Sequence, residues 1–226
     1  MGTRMAPGHA TPNAPKQFLA LHGTPILVHS LRAFAAVPRV SSIYVAVRKP
    51  EISRMEMLIA EHALAARVQV VEGGDTRQES VSQALKALSA AEDDIVLVHD
   101  AVRPLIDPAT IERTIEAVEI YGAAIVGLPA VDTIKQVERT ARGAIVTATI
   151  PREHIVQAQT PQGFRWSILR QAFADAEADG FVGTDEASLV ERSGAQVAVV
   201  LGSPANLKIT HPGDLKLAEF YLQDRS

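Results

Sequence analysis

The sequence predicts an α/β protein: a Rossmann-like, open and mostly parallel sheet with helices on both faces and a protruding β-hairpin arm. Three observations carry this expectation. Short apolar runs recur at 42–47, 68–71, 95–98, 123–128 and 197–201. They are nearly continuous rather than alternating, as in strands covered on both faces. Segments with helical spacing fall between them, and strand–helix alternation implies parallel crossovers.

The elements follow in chain order. After the runs at 42–47 and 68–71, Val81, Leu85 and Leu88 form one helical stripe. After 95–98, Asp107 and Pro108 start a helix: the carboxylate takes an unpaired N–H, and the proline has none to lose. Ile111, Ile115 and Val118 are its apolar face. Thr210 before Pro212 and Asp214 predicts the start of a last helix. Residues 132–149 break the rhythm, being polar and β-branched with a turn near Ala141-Arg142-Gly143. Two strands at 133–138 and 144–149 read as a hairpin. A two-stranded ribbon is marginal alone in water, so it packs either on its own domain or on a partner subunit.

The chain has 226 residues, which suits a single domain over 1–226, with 132–150 as the arm. It carries 22 Lys+Arg against 26 Asp+Glu, a formal net charge of -4. That balance argues against broad nucleic-acid binding, which needs a basic surface. With no cysteine, disulfides, thiolate metal sites and a cysteine nucleophile are excluded. The longest apolar stretches fall well short of a membrane span. No signal-peptide pattern opens the chain, and the expected location is cytoplasmic.

In open parallel sheets, ligands sit beyond the carboxyl ends of the strands, so the residues following each apolar run matter most. Gly73-Gly74 follows one run and precedes a helix. Glycines let backbone approach a ligand, and a helix start offers N–H groups; the plain alternative is a simple turn. His99-Asp100-Ala101-Val102-Arg103 follows another run. Asp100 suits a divalent cation or a substrate hydroxyl, and Arg103 suits a phosphate; the alternative is an ion pair closing a loop. Arg4, Lys16, Arg152 and Lys208 are further cations, each with a solvated reading beside the functional one. His99 reads as structural. Cations, an aspartate and a glycine loop together suit phosphoryl or nucleotidyl transfer, which needs charge neutralisation more than proton chemistry.

The motifs Gly-Thr-Arg-Met at 2–5, Pro-Lys-Gln-Phe at 15–18 and Gly-Gly-Asp-x-Arg-x-x-Ser-Val at 73–81 carry a family resemblance. Val-His-Asp-Ala-Val-Arg-Pro at 98–104, Asp-Thr-Ile-Lys at 132–135 and Gln-Thr-Pro-Gln-Gly-Phe at 159–164 extend it. Thr-Asp-Glu-Ala-Ser at 184–188 and Asn-Leu-Lys-Ile-Thr at 206–210 complete it. Together they resemble the 2-C-methyl-D-erythritol 4-phosphate cytidylyltransferases. The resemblance implies CTP and a sugar-alcohol phosphate as substrates, with Mg²⁺. It implies Arg4 and Lys16 at the reacting phosphates, and Arg152 and Lys208 at the alcohol phosphate. Asp100, Arg103, Thr133, Thr160 and Thr184 would complete the pocket, with Asp100 the metal ligand. Gly74 and Ser80 would meet cytosine and ribose. It further implies a homodimer in which the arm carries Thr133 and Arg152 into the neighbour's site.

Two departures stand out. The family's first, central strand precedes its Gly-x-Arg-Met loop and has no counterpart here; it is expected upstream of Met1. The residues between Arg4 and Lys16 look like an expanded loop. The competing readings are a ribitol 5-phosphate cytidylyltransferase and a truncated nucleotide-binding homologue without activity.

Overall fold

The computed structural model describes residues 16–224; Arg4 and the loop at 5–15 lie outside them. A 3₁₀ turn, Lys16–Phe18, leads into a small hairpin of β1 (Ala20–Leu21) and β2 (Thr24–Pro25), then α1 (Ile26–Ala35). β3 (Ile43–Val47), α2 (Ile52–Glu61) and β4 (Val68–Glu72) form a βαβ unit with parallel strands. Next come α3 (Arg77–Ala87), β5 (Ile95–Val98), α4 (Pro108–Tyr121) and β6 (Ala123–Pro129). A hairpin of β7 (Ile134–Thr140) and β8 (Gly143–Ile150) follows. The chain continues through β9 (Val156–Arg165), α5 (Trp166–Asp179), α6 (Glu186–Arg192), β10 (Ala198–Leu201) and α7 (Pro212–Gln223).

All five apolar runs are strands, and the local signals explain their connections. Asp107 caps α4 by accepting the Thr110 N–H at 2.7 Å. Gly122, with φ of 83°, ends that helix in the left-handed conformation. The last helix starts one residue later than Thr210 suggests. His211 holds the cap position, because the Asp214 carboxylate accepts the N–H groups of both Thr210 and His211.

The main sheet is mixed rather than mostly parallel. Its order is β10-β6-β9-β5, with β10 parallel to β6 and β9 antiparallel to both of its neighbours. The apolar-run reading passes over β9 because its inward side chains are polar. Gln159, Thr160 and Gln162 are all buried, which is tolerable only because each is hydrogen-bonded. Gly163 fits where it does because a Cβ there would lie 2.7 Å from the Leu97 side chain.

Helices cover both faces. On one, Phe34 of α1 packs with Ile111 and Ile115 of α4, while Met55 and Ile59 of α2 join Leu27 and Leu31 of α1 over β3 and β4. On the other, Leu85 of α3 meets Leu169 and Phe173 of α5 and Val190 of α6 around a fully buried Phe164. Each such large side chain contributes roughly 1.5–3 kcal/mol by burial.

Between β3 and β5 the described residues leave a slot: among them β3 pairs with β4, and β5 with β9. Both strands line an apolar slot of about 700 Å³, with Leu31 of α1 and Leu85 of α3 at its sides. All four residues of β5 are only half-buried, whereas most of β6 is buried. The hairpin is exposed on both faces along nearly its whole length, including Val137, Ile145 and Val146.

Candidate active site

The site is built on the end of β5. His99 continues the strand and is half-buried. The Thr160 hydroxyl bonds its Nδ1 at 2.9 Å and the Arg103 carbonyl lies 3.1 Å from its Nε2. Burial dominates its titration and lowers its pKa to about 4, so it is a neutral scaffold at physiological pH. The Thr160 hydroxyl also accepts the Asp100 N–H at 3.0 Å. Thr160 is buried, and through these two bonds its hydroxyl supports both His99 and Asp100.

Asp100 is the centre of the cluster. Its Oδ1 accepts from Arg77 Nε at 3.2 Å, and its Oδ2 lies 3.0 Å from Lys208 Nζ and 3.3 Å from Arg103 Nε. Burial by itself would raise its pKa, but Lys208 first, then Arg77 and Arg103, outweigh that and bring it to about 2. Arg77 in turn forks onto Glu186 through Nη1 at 2.6 Å and Nη2 at 2.8 Å. Three cations face two carboxylates, which leaves one net positive charge at the rim before any ligand arrives.

Lys208 reaches Asp100 because its neighbours are anchored. Asn206 is buried and donates to the Thr160 carbonyl at 2.9 Å, and its own carbonyl accepts from Arg103 at 2.8 Å. Ile209 is fully buried and donates to the Val102 carbonyl at 2.9 Å. With its flanking residues fixed in the interior, the lysine projects to the opposite side. Lys16 joins the same segment, donating from Nζ to the Thr210 carbonyl at 2.6 Å. Lys208 and Arg103 therefore meet at Asp100, and Lys16 is bonded to the segment that carries Lys208.

The glycine loop borders the slot. Gly73 donates to the Val47 carbonyl at 2.7 Å, which closes the loop onto β3. Thr76 caps α3 with Glu79 in a reciprocal pair. A Cβ on Gly74 would lie 2.3 Å from the Glu79 Cβ, so only glycine allows the turn to close against the helix. The Ser80 hydroxyl donates to the Thr76 carbonyl at 2.8 Å and approaches that of Gly74 at 3.3 Å. Arg77, Ser80, Asp100 and Lys208 together line the slot's mouth. Thr184 is exposed just before α6, with its N–H held by Ser188 Oγ.

Two expected residues stay apart from this cluster within one chain. Arg152 donates to the Val131 carbonyl at 2.6 Å, at the root of the hairpin, and Thr133 is exposed beside it. Arg77, Glu186, Gln159 and Asn206 were not singled out from sequence. Arg77 and Glu186 lie inside recognised motifs, but nothing in sequence shows that residues 109 positions apart form a fork.

The donors around Asp100 do not fit a divalent cation held by the protein. Both carboxylate oxygens already face cationic nitrogens. Among the described residues, no group of three or more His, Cys, Asp or Glu side chains gathers at a common point.

The family model for 2-C-methyl-D-erythritol 4-phosphate cytidylyltransferase matches residues 1–224. An Acidobacterium capsulatum protein of that name is 70% identical, over 100% of this chain and 95% of its own length. The chain belongs to this family. It is therefore a nucleotidyltransferase. A Solibacter usitatus cytidylyltransferase of the same name is 48% identical, over 100% of this chain and 93% of its own. Among solved structures, the Thermus thermophilus cytidylyltransferase superposes with a TM-score of 0.75 at 35% identity, covering 92% of this chain and 94% of that one. The 4-diphosphocytidyl-2C-methyl-D-erythritol synthase of Anaerococcus prevotii gives 0.81 at 28% identity, covering 90% and 88%. No described helix is long and apolar enough to cross a membrane.

Proposed function

We propose that this chain transfers the cytidylyl group of CTP to 2-C-methyl-D-erythritol 4-phosphate in the cytoplasm, releasing pyrophosphate, as a step of isoprenoid precursor synthesis. The observation that carries this reading is the excess of cations around Asp100 at the end of β5, next to a glycine loop. A phosphate oxygen of the alcohol attacks the α-phosphorus, and the bond from that phosphorus to the bridging oxygen of the β-phosphate breaks. The attacking oxygen is anionic at neutral pH, so no general base is needed, and His99, held neutral, supplies none. What the protein supplies is positive charge where it builds on the phosphoryl oxygens.

In this reading Lys16, with Arg4, faces the reacting phosphates. Lys208 and Arg103 hold the alcohol phosphate against Asp100, and Asp100 accepts from the alcohol's hydroxyls. Gly74 and Ser80 meet cytosine and ribose through backbone and hydroxyl groups, and Thr184 closes the alcohol side. The exposed hairpin pairs with a second copy, bringing Thr133 and Arg152 to the neighbouring rim in a homodimer.

Pyrophosphate release tests the reading, with CTP and each alcohol phosphate in turn. Turnover with the methylerythritol phosphate and not with ribitol 5-phosphate is expected. Turnover with ribitol phosphate alone would overturn the substrate assignment, and turnover with neither would overturn the activity.

A further inference from the structure

We propose that Arg77, Gln78 and Glu186 form a positioning latch that ties the nucleotide-side helix α3 to the loop carrying Thr184, and so sets the alcohol-phosphate half of the site. The inference rests on the proposed function for its kinetic readout, but its geometry does not.

Arg77 and Gln78 are the first two residues of α3, directly after the glycine loop. Gln78 clasps the backbone before Thr184 with both ends of its amide. Its Nε2 donates to the Phe181 carbonyl at 3.1 Å, and its Oε1 accepts the Gly183 N–H at 3.0 Å. Arg77 grips the other side of Thr184 through Glu186, which is only 1% exposed. From the sheet, Gln162 completes the hold: it donates to Asp185 Oδ2 at 2.8 Å and accepts the Ala187 N–H at 3.0 Å.

Two features separate this from an ordinary structural ion pair. A buried carboxylate needs a partner, and the two Nη groups of Arg77 satisfy that need. The third donor, Nε, is aimed at Asp100, the centre of the site. One planar guanidinium thereby fixes Asp100, α3 and α6 together, a task a point-charge ammonium cannot do.

Two variants of the full chain, Gln78→Ala and Arg77→Lys, test the proposal. One of the two bonds made by Gln78 is exposed and the other only partly buried, so its variant keeps the fold. Loss of its two hydrogen bonds should raise KM for the alcohol phosphate about tenfold, with KM for CTP changed less than twofold. Arg77→Lys should raise the same KM and also lower kcat, since Asp100 loses its fixed partner. Hydrogen exchange at the Gly183 N–H should quicken in Gln78→Ala whatever the substrate proves to be. The latch is refuted by unchanged Gly183 exchange, by variants with kcat and both KM values within twofold of the parent, or by equal rises in both KM values. A parent without turnover on these substrates would count against the function, and the exchange measurement would still decide the latch.

Discussion

Replacing Asp100 by asparagine isolates the charge balance on which the site is built. The carboxylate is held at a pKa of about 2 against an ordinary 3.8, with its side chain only 10% exposed. That displacement corresponds to about 2 kcal/mol of stability at neutral pH. Because the folded value lies below the unfolded one, this stability is fully present above about pH 5. It falls as the pH drops through the interval between the two values, and roughly 1 kcal/mol of it is gone by pH 3. Asp100→Asn lacks the titration altogether and leaves Lys208, Arg77 and Arg103 facing a neutral amide. Urea unfolding of both proteins from pH 7 to pH 3 gives the difference directly. The variant should be weaker by about 2 kcal/mol at pH 7, and the gap should narrow by about half at pH 3. Asp214, whose pKa is also lowered, is common to both proteins and cancels; His99, whose pKa of about 4 is held up in part by Asp100, titrates in the same range, so its titration is followed by NMR in both proteins and its part subtracted. A gap that stays constant across the range would refute the reasoning, because the cations would then have no hold on Asp100.

Three further outcomes are expected. Lys16→Ala and Lys208→Ala should each lower kcat about a hundredfold through lost charge stabilisation, and near-normal rates in both would show the site to be misplaced. Gly74→Ala forces the loop away from Glu79, so KM for CTP should rise while KM for the alcohol phosphate holds; equal changes in both would contradict the assignment of that loop. Ile145→Glu with Val146→Glu places charge on the exposed hairpin. Sedimentation should then show monomers where the parent shows dimers, and an unchanged dimer would remove the hairpin from the interface.

The parts of the fold written in apolar periodicity were legible. Strands covered on both faces must be apolar, so β3, β4, β5, β6 and β10 stand out, and α4 announces itself through Asp107 and Pro108. β9 was not legible, because its Gln159, Thr160 and Gln162 are buried polar groups. What makes them acceptable inside is partners such as Ser203, Asp100 and Asp185, distant in sequence. The site divides in the same way. Asp100 and Arg103 follow a strand, where position alone marks them. Lys208 could be read only through the motif around it, since a lysine between Leu207 and Ile209 has no pattern of its own. Thr160 was placed in the pocket by its motif, but its hydroxyl serves His99 and Asp100. Motifs preserve which residues matter and leave open which way each one faces.

Side chains set much of the geometry at the rim of the site. Packing of α1 and α3 across the slot gives approximate distance, since apolar contacts are not directional. Direction comes from the charged and amide groups: Arg77 on Asp100 and Glu186, Gln78 on the Phe181–Gly183 backbone, and Lys16 on the Thr210 carbonyl. The same cations that suit the site to phosphate also orient its walls, so neutralising any one of them should disturb geometry as well as charge.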